Sequence, residues 1–260
     1  MGALKQPVVV VGIGEMGAVF ARALLRAGHP VMPVTREVPA KEVARHVPEP
    51  AIALVATGEK ALHPVLEELP ESWRTRVGLL QNELLPRDWE RHGLERPTVA
   101  AVWFEKKRGT PVRVVRPTVV AGPFAGELVR ALEGIDIAAH EVDFGEPLTR
   151  ALVLKNLYIL TANVAGLEVG GTTGALWNEH GDLARAVASD VLDLQERLVG
   201  DELPRQELIA ELGEAFEADP EHECTGRSAP ARLERALARA DEHGLQVPKL
   251  RAIRGAATSG

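Results

Sequence analysis

The stretch Val8-Val-Val-Val-Gly12-Ile13-Gly14-Glu15-Met16-Gly17, running on into Phe20-Ala-Arg-Ala-Leu-Leu-Arg-Ala-Gly28, constrains this chain more than any other. Four consecutive valines read as a strand buried on both faces, the glycines as a turn, and the Ala/Leu/Arg run as a helix. A glycine triplet alone is a weak signal; strand, turn and helix in one unit make the Gly-x-Gly-x-x-Gly spacing a dinucleotide-binding signature. The three glycines have separate tasks. Gly12 makes the tight turn, Gly14 lets the backbone approach a pyrophosphate, and Gly17 lets the helix pack against the strand. The phosphates then sit on unpaired N–H groups at the helix start, with Ile13, Glu15 and Met16 completing the cofactor loop. The competing reading is a glycine-rich turn that binds nothing.

The next strand, Pro30 to Arg36, ends where such a fold meets the adenosine ribose. An NAD-selective site places Asp or Glu there, whereas an arginine can hold a 2′-phosphate. Thr35-Arg36 at the tip therefore favours NADP (NADPH), with Glu37 as the alternative neighbour of the ribose and a solvated arginine as the bland reading. Thr57, at the end of the third strand, joins the cofactor-binding set.

The 260 residues allow one large or two modest domains, enough to bury about 70–75% of the unfolded chain's surface. No apolar run approaches the ~20 residues of a membrane helix, so no membrane association is expected. Met1 to Pro7 is too short and too weakly apolar for a signal peptide, and a cytoplasmic location is the default. The single cysteine, Cys224, excludes an internal disulfide and a cysteine-based metal cluster, which leaves a buried or idle thiol. A net charge of −7 without basic clusters argues against nucleic acid as a partner. The one low-complexity segment is the small-residue tail Ala256 to Gly260.

Along the chain, Ala51–Thr57 reads as a third strand, Glu59–Leu69 as a helix, Arg76–Leu80 as a fourth strand ending in Gln81-Asn82, and Pro97–Trp103 as a fifth. This alternation implies a parallel, doubly wound sheet with ligands at the carboxyl ends of its strands. Arg108–Val115 and Thr118–Pro123 read as short strands joined by a turn, giving an antiparallel or mixed far edge; Glu127–Leu132 reads as a helix and Ile135–Val142 as the last strand. After Gly145 the pattern is helical throughout: Leu148–Gly166, apolar nearly all round, then about Leu183–Leu198, Gln206–Phe216 and Ala231–His243, the last with Ser228 as N-cap and Gly244 as the stop. The expected organisation is a Rossmann-type domain over 1–145 and a helical substrate and dimerisation domain over 146–260, with an active site in the cleft between them. The expected partners are a small-molecule substrate and a second copy of the chain through the helical domain.

Lys155 is the residue of the buried helix that most needs explaining. Its neighbours at three and four residues, Ala151, Leu152, Tyr158 and Ile159, are apolar or aromatic, so an ammonium here is desolvated unless it opens into a cleft or meets a partner. Such a lysine can act as an acid or base, protonating a carbonyl oxygen as a hydride arrives at the carbon. The alternative is a long side chain that snorkels to the surface. Asn156 and Asn163 share one stripe, about 100° and about 80° round the helix from Lys155, and could orient a substrate or satisfy neighbouring backbone. Arg227, Arg232, Arg235 and Arg239 read as a solvated helix face, with Arg227 a candidate for a substrate carboxylate. His140-Glu141 with Asp143, and Glu179-His180 with Asp182, lack the third and fourth ligands of a metal site, so no metal is expected; no Gly-x-Ser-x-Gly elbow is present.

With these residues in view, the sequence resembles the ketopantoate reductases (2-dehydropantoate 2-reductases) over almost its whole length. The resemblance rests on Gly12-x-Gly14-x-x-Gly17 with Arg36, Gln81-Asn82 after a strand, Val120-Ala-Gly-Pro123, Lys155 with Asn163, and Gly226-Arg227 followed by Gly244-Leu-Gln-Val-Pro248. It implies a Rossmann domain, a C-terminal domain like that of 6-phosphogluconate dehydrogenase, NADPH, and reduction of a 2-keto acid. It further implies that Lys155 is the acid and a substrate ligand, that Asn82 lies beside the nicotinamide and that Asn163 helps hold the substrate. Three positions depart from the family: Glu83 replaces a glycine, Ile159 an asparagine, and Pro230 the glutamate near the substrate hydroxyl. Loss of a hydrogen-bonding partner for that hydroxyl argues against ketopantoate itself as the substrate. The alternative is a non-catalytic NADP-binding relative with a structural or sensing role.

Overall fold

A computed structural model describes residues 5–257, so Met1 to Leu4 of the amino-terminal stretch and Thr258 to Gly260 of the small-residue tail lie outside the described residues. The chain divides into two compact units, Met1–Leu152 and Val153–Gly260.

The first unit is an α/β sheet. Its strands are β1 (Val8–Val11), β2 (Val31–Val34), β3 (Ala53–Val55), β4 (Val77–Leu79), β5 (Thr98–Ala101), β6 (Phe104–Glu105), β7 (Arg113–Val114), β8 (Thr118–Ala121) and β9 (Ala139–Glu141). Its helices are α1 (Glu15–Arg26), α2 (Ala40–His46), α3 (Leu62–Glu68), α4 (Pro86–Glu90) and α5 (Ala125–Glu133). The seven-stranded sheet runs β2-β1-β3-β4-β5-β8-β9. The first five strands are parallel, β8 is antiparallel to β5, and β9 is parallel to β8. The chain order reverses between β1 and β3, which makes the carboxyl ends of these two strands the topological switch point where open α/β sheets bind ligands.

The four valines of β1 are buried, as a central strand covered on both faces requires. Val8 packs in one core with Phe20 and Leu24 of α1 and Leu128 and Leu132 of α5. Pro33 is tolerated in β2 because that strand is an edge. The expected strand over 108–115 is corrected: only Arg113 and Val114 are extended, and they pair antiparallel with Phe104 and Glu105 in a separate two-stranded sheet. Both are exposed, so neither has a core face to bury against the main sheet. The last strand is shorter than Ile135–Val142, because Asp136 turns at φ +63° after α5.

The second unit holds α7 (Thr173–Glu179), α8 (Gly181–Val199), α9 (Arg205–Ala218), α10 (Ala229–Glu242), α11 (Pro248–Ala257) and all but the first turns of α6 (Glu146–Val169). The expectation of no membrane-length run needs qualification. By length and composition α6 could cross a bilayer, but 78% of its most apolar window is buried inside the protein, as befits a core helix. Ser228 stands at the N-cap of α10 without a side-chain capping bond; Asp190 on α8 instead caps the neighbouring α11, accepting from the Lys249 and Leu250 amides at 2.7 and 3.0 Å.

One polar cluster ties the start of the chain to α5. Glu127 accepts from Lys5, from Arg130 at 2.6 Å, and from buried His29 at 3.0 Å, while the other ring nitrogen of His29 bonds the Gln6 carbonyl at 2.7 Å. The bond from Lys5, followed by that from Arg130, holds the Glu127 carboxyl down at about 2, against the opposing effect of burial. A carboxylate whose folded pKa is depressed contributes stability above its unfolded value and loses it as pH falls from there through the folded value. Glu127→Gln is therefore expected to destabilise by about 1 kcal/mol at neutral pH in denaturant titrations, a deficit that shrinks below pH ~4.5 and vanishes near pH ~2. A deficit independent of pH would assign the effect to side-chain shape.

Candidate functional site

In the first unit the predicted cofactor residues converge at the switch point. Gly12 leaves β1 at φ +92°, a conformation open to glycine, with its amide bonded to the Val34 carbonyl of β2 at 2.9 Å. A Cβ at Gly17 would stand 2.0 Å from the Gly12 carbonyl oxygen, so only glycine lets α1 start this close to the turn. Gly14, the N-cap of α1, differs: a Cβ there would meet nothing within 4 Å, and no side chain caps the helix. The first amides of α1 are thus left without a side-chain acceptor, at the positive end of the helix dipole. Ile13, Gly14 and Glu15 are exposed and Met16 is half-buried.

Thr57 follows β3 and closes this cradle from the neighbouring strand. Its methyl group lies 3.0 Å from where a Gly12 Cβ would be, and its buried Oγ1 has no hydrogen-bond partner among the described residues. An orphaned buried hydroxyl beside uncapped amides fits an anionic ligand. Gln81 after β4 fixes the spacing of the strand ends: its Nε2 donates to the Val55 and Thr57 carbonyls at 2.8 and 3.2 Å, and its Oε1 accepts from the Leu80 amide. Asn82 stands next to it and donates to Glu59 at 3.2 Å. Glu83 is buried at φ +62°, a left-handed conformation that glycine adopts more cheaply.

At the tip of β2, Thr35 shapes the loop, its Oγ1 accepting from the Glu37 and Val38 amides, each at 3.2 Å. Arg36 is exposed, with no hydrogen bond or ion pair among the described residues. Glu37, also exposed, has its amide committed to the turn.

In the second unit every residue of α6 from Val153 to Gly166 is buried except Lys155, which is half-buried with its ammonium 5.6 Å from the centre of the Tyr158 ring. That contact bends the lysine toward the carboxyl end of its helix. Asn156 is 3% exposed. Asn163 is placed by an unusually close approach: the Cβ of Cys224 would lie 2.6 Å from a Cβ at Gly166, so the 224–225 segment presses on α6 one turn beyond Asn163. Asn163 Nδ2 then donates to the Cys224 carbonyl at 3.0 Å, and its Oδ1 accepts from Arg232 at 2.6 Å. Burial pushes the Cys224 thiol up to about 11, which leaves it an inert thiol at neutral pH.

The arginines between 227 and 239 correct the solvated face expected of them. Arg227, just before α10, and Pro230 are exposed, whereas Arg232, Arg235 and Arg239 are half-buried and Arg232 is bonded to Asn163. Periodicity could not have distinguished Arg232, since its partner lies on a helix far away in the chain.

No protein-family model matches the sequence, and no curated protein matches it significantly. Solved structures match it end to end. A PanE/ApbA family ketopantoate reductase from Ralstonia eutropha is 18% identical with a TM-score of 0.68, the match covering 96% of this chain and 97% of that one. A ketopantoate reductase from Staphylococcus aureus, described as dimeric, is 17% identical with a TM-score of 0.63 over 97% and 98% of the two chains. A D-mandelate dehydrogenase in complex with NADH is 13% identical with a TM-score of 0.69 over 97% and 98%. At these identities the likeness is one of architecture: the chain has the ketopantoate reductase fold.

Proposed function

We propose that the chain is a divergent ketopantoate reductase-like oxidoreductase that uses NADPH to reduce a 2-keto acid or related small ketone. The observation that carries this reading is the cradle at the switch point, where Gly14 and the uncapped start of α1 face open space beside the orphaned Thr57 hydroxyl. That arrangement suits a pyrophosphate, which the amides of the α1 turn and Thr57 Oγ1 would hold. Arg36 supplies a guanidinium for a 2′-phosphate and so favours NADPH over NADH. Bound there, the nicotinamide supplies a hydride. The chain's own contribution to the chemistry is Lys155, whose ammonium donates a proton to the substrate oxygen as the carbonyl carbon is reduced. Asn82 orients the reacting end of the cofactor, and Asn156, Asn163 and an arginine of the 227–232 segment position the substrate.

The fold likeness to a dimeric ketopantoate reductase supports a homodimer formed through the helical region 146–260, and a cytoplasmic small-molecule enzyme accords with the chain's composition. One observation favours the non-catalytic reading: the buried Glu83 adds a side chain and a carboxyl directly after Asn82.

Lys155→Ala separates the two. The reductase reading expects NADPH oxidation with ketopantoate or another 2-keto acid to fall at least ~100-fold while NADPH still binds, measured by nicotinamide fluorescence. A wild-type protein that binds NADPH and turns over no 2-keto acid would instead support the non-catalytic relative. Arg36→Ala is expected to weaken NADPH at least ~10-fold and NADH by less than ~3-fold. Equal weakening of both would remove the phosphate role.

A further inference from the structure

The proposed dinucleotide cradle has a carboxylate at its own rim. Glu15 is the first residue of α1, and helix side chains lean toward the amino end, so this one is directed back toward the open amides where a pyrophosphate would bring further negative charge. Left alone, the carboxylate would oppose the ligand that the amides favour. It is paired: Lys106, just after β6, places its ammonium 3.7 Å from Glu15 Oε2.

Two features hold that ammonium in place independently of Glu15. β6 packs on α1 through buried Phe104, whose ring centre lies 5.8 Å from that of Phe20. Lys106 Nζ also donates to the Lys107 carbonyl at 3.0 Å and to the Thr110 carbonyl, closing the turn that leads to β7. Carbonyls orient an ammonium and leave its charge intact. At 3.7 Å the contact with Glu15 is an ion pair without a hydrogen bond, so the carboxylate can swing aside while the ammonium stays. Lys107 is placed differently, with its side chain 60% exposed and paired to Glu105 of β6, whereas that of Lys106 is 22% exposed.

We propose that Lys106 is a diphosphate ligand of the cradle and that Glu15 is its internal competitor: the carboxylate pairs with the ammonium and yields it to the cofactor's pyrophosphate when a dinucleotide binds. The exchange is favourable because a pyrophosphate carries more charge than one carboxylate and takes the amides of the α1 turn at the same time. This rests on the dinucleotide reading and adds to it a residue of the detached β6–β7 hairpin, which the glycine-loop spacing does not reach. Pyrophosphate is common to NADPH and NADH, so Lys106, unlike Arg36, serves both.

The test measures the Kd of NADPH and of NADH by nicotinamide fluorescence in the full chain and its variants. Lys106→Gln, which keeps a donor for the turn carbonyls without the charge, is expected to weaken both dinucleotides alike, by at least ~5-fold, and Lys106→Arg to stay within ~3-fold of wild type. The loss in Lys106→Gln shrinks as salt rises from ~20 to ~300 mM, which a loosened hairpin alone would not produce. Glu15→Gln is expected to tighten both by ~2-fold or more, and adding Lys106→Gln to it weakens binding again by at least ~5-fold. Full affinity in Lys106→Gln, a loss confined to NADPH, a loss indifferent to salt, or a double variant as tight as Glu15→Gln overturns the assignment; the last result would reduce Lys106 to a neutraliser of Glu15. If the wild type binds neither dinucleotide, the dinucleotide reading fails, and calorimetric titration of inorganic pyrophosphate decides the diphosphate site on its own. Binding that Lys106→Gln weakens and Glu15→Gln strengthens upholds it, whereas absent binding, or binding indifferent to both, removes it.

Discussion

The approach of α1 to the turn after β1 is the contact on which the first unit depends. With 2.0 Å between the Gly12 carbonyl oxygen and the site of a Gly17 Cβ, any side chain at Gly17 would push the helix off the strand. The same closeness aims the helix start at the crossover between β1 and β3, so the packing constraint and the candidate ligand site have one origin. Gly14 shows the difference between the two demands. Nothing in the protein crowds it, and its value lies in the backbone amides it leaves accessible.

The second unit is organised by burial. A helix apolar on nearly every side must be covered, and α6 meets Phe216 of α9 through Tyr158, Arg232 of α10 through Asn163, and the segment between α9 and α10 at Gly166. In such a setting each polar side chain needs a partner or an exit. Asn163 finds its partners in the Cys224 carbonyl and Arg232, and the Lys155 ammonium lies over the Tyr158 ring. The polar groups that chemistry can use are thus a small set left after burial has been satisfied.

Much of this was legible from residue patterns. The Val8–Val11 run, the Gly12–Gly17 turn and the alternation of strands with helices specified a doubly wound sheet, and the apolar stretch after Gly145 specified a core helix. Short elements were less legible. α2, α7 and α11 have too few turns for a clear period, and the residues 108–115 alternate like a strand although neither face of Arg113–Val114 is covered. The same limit applies at the candidate site. Lys155 is conspicuous because its neighbours within one helix are apolar, but Arg232 is one of four arginines between 227 and 239, and its bond to Asn163 has no signal in their spacing.

Sequence by itself determined the local geometry of the glycine loop, the central strand and the buried helix, because each follows from steric limits and periodicities within about a dozen residues. Tertiary structure alone decided the detachment of the β6–β7 hairpin and the bond between Asn163 and Arg232. These depend on segments distant in the chain meeting in space. Whether a given polar residue is solvated, capped or held in place is set by that meeting and not by its neighbours in sequence.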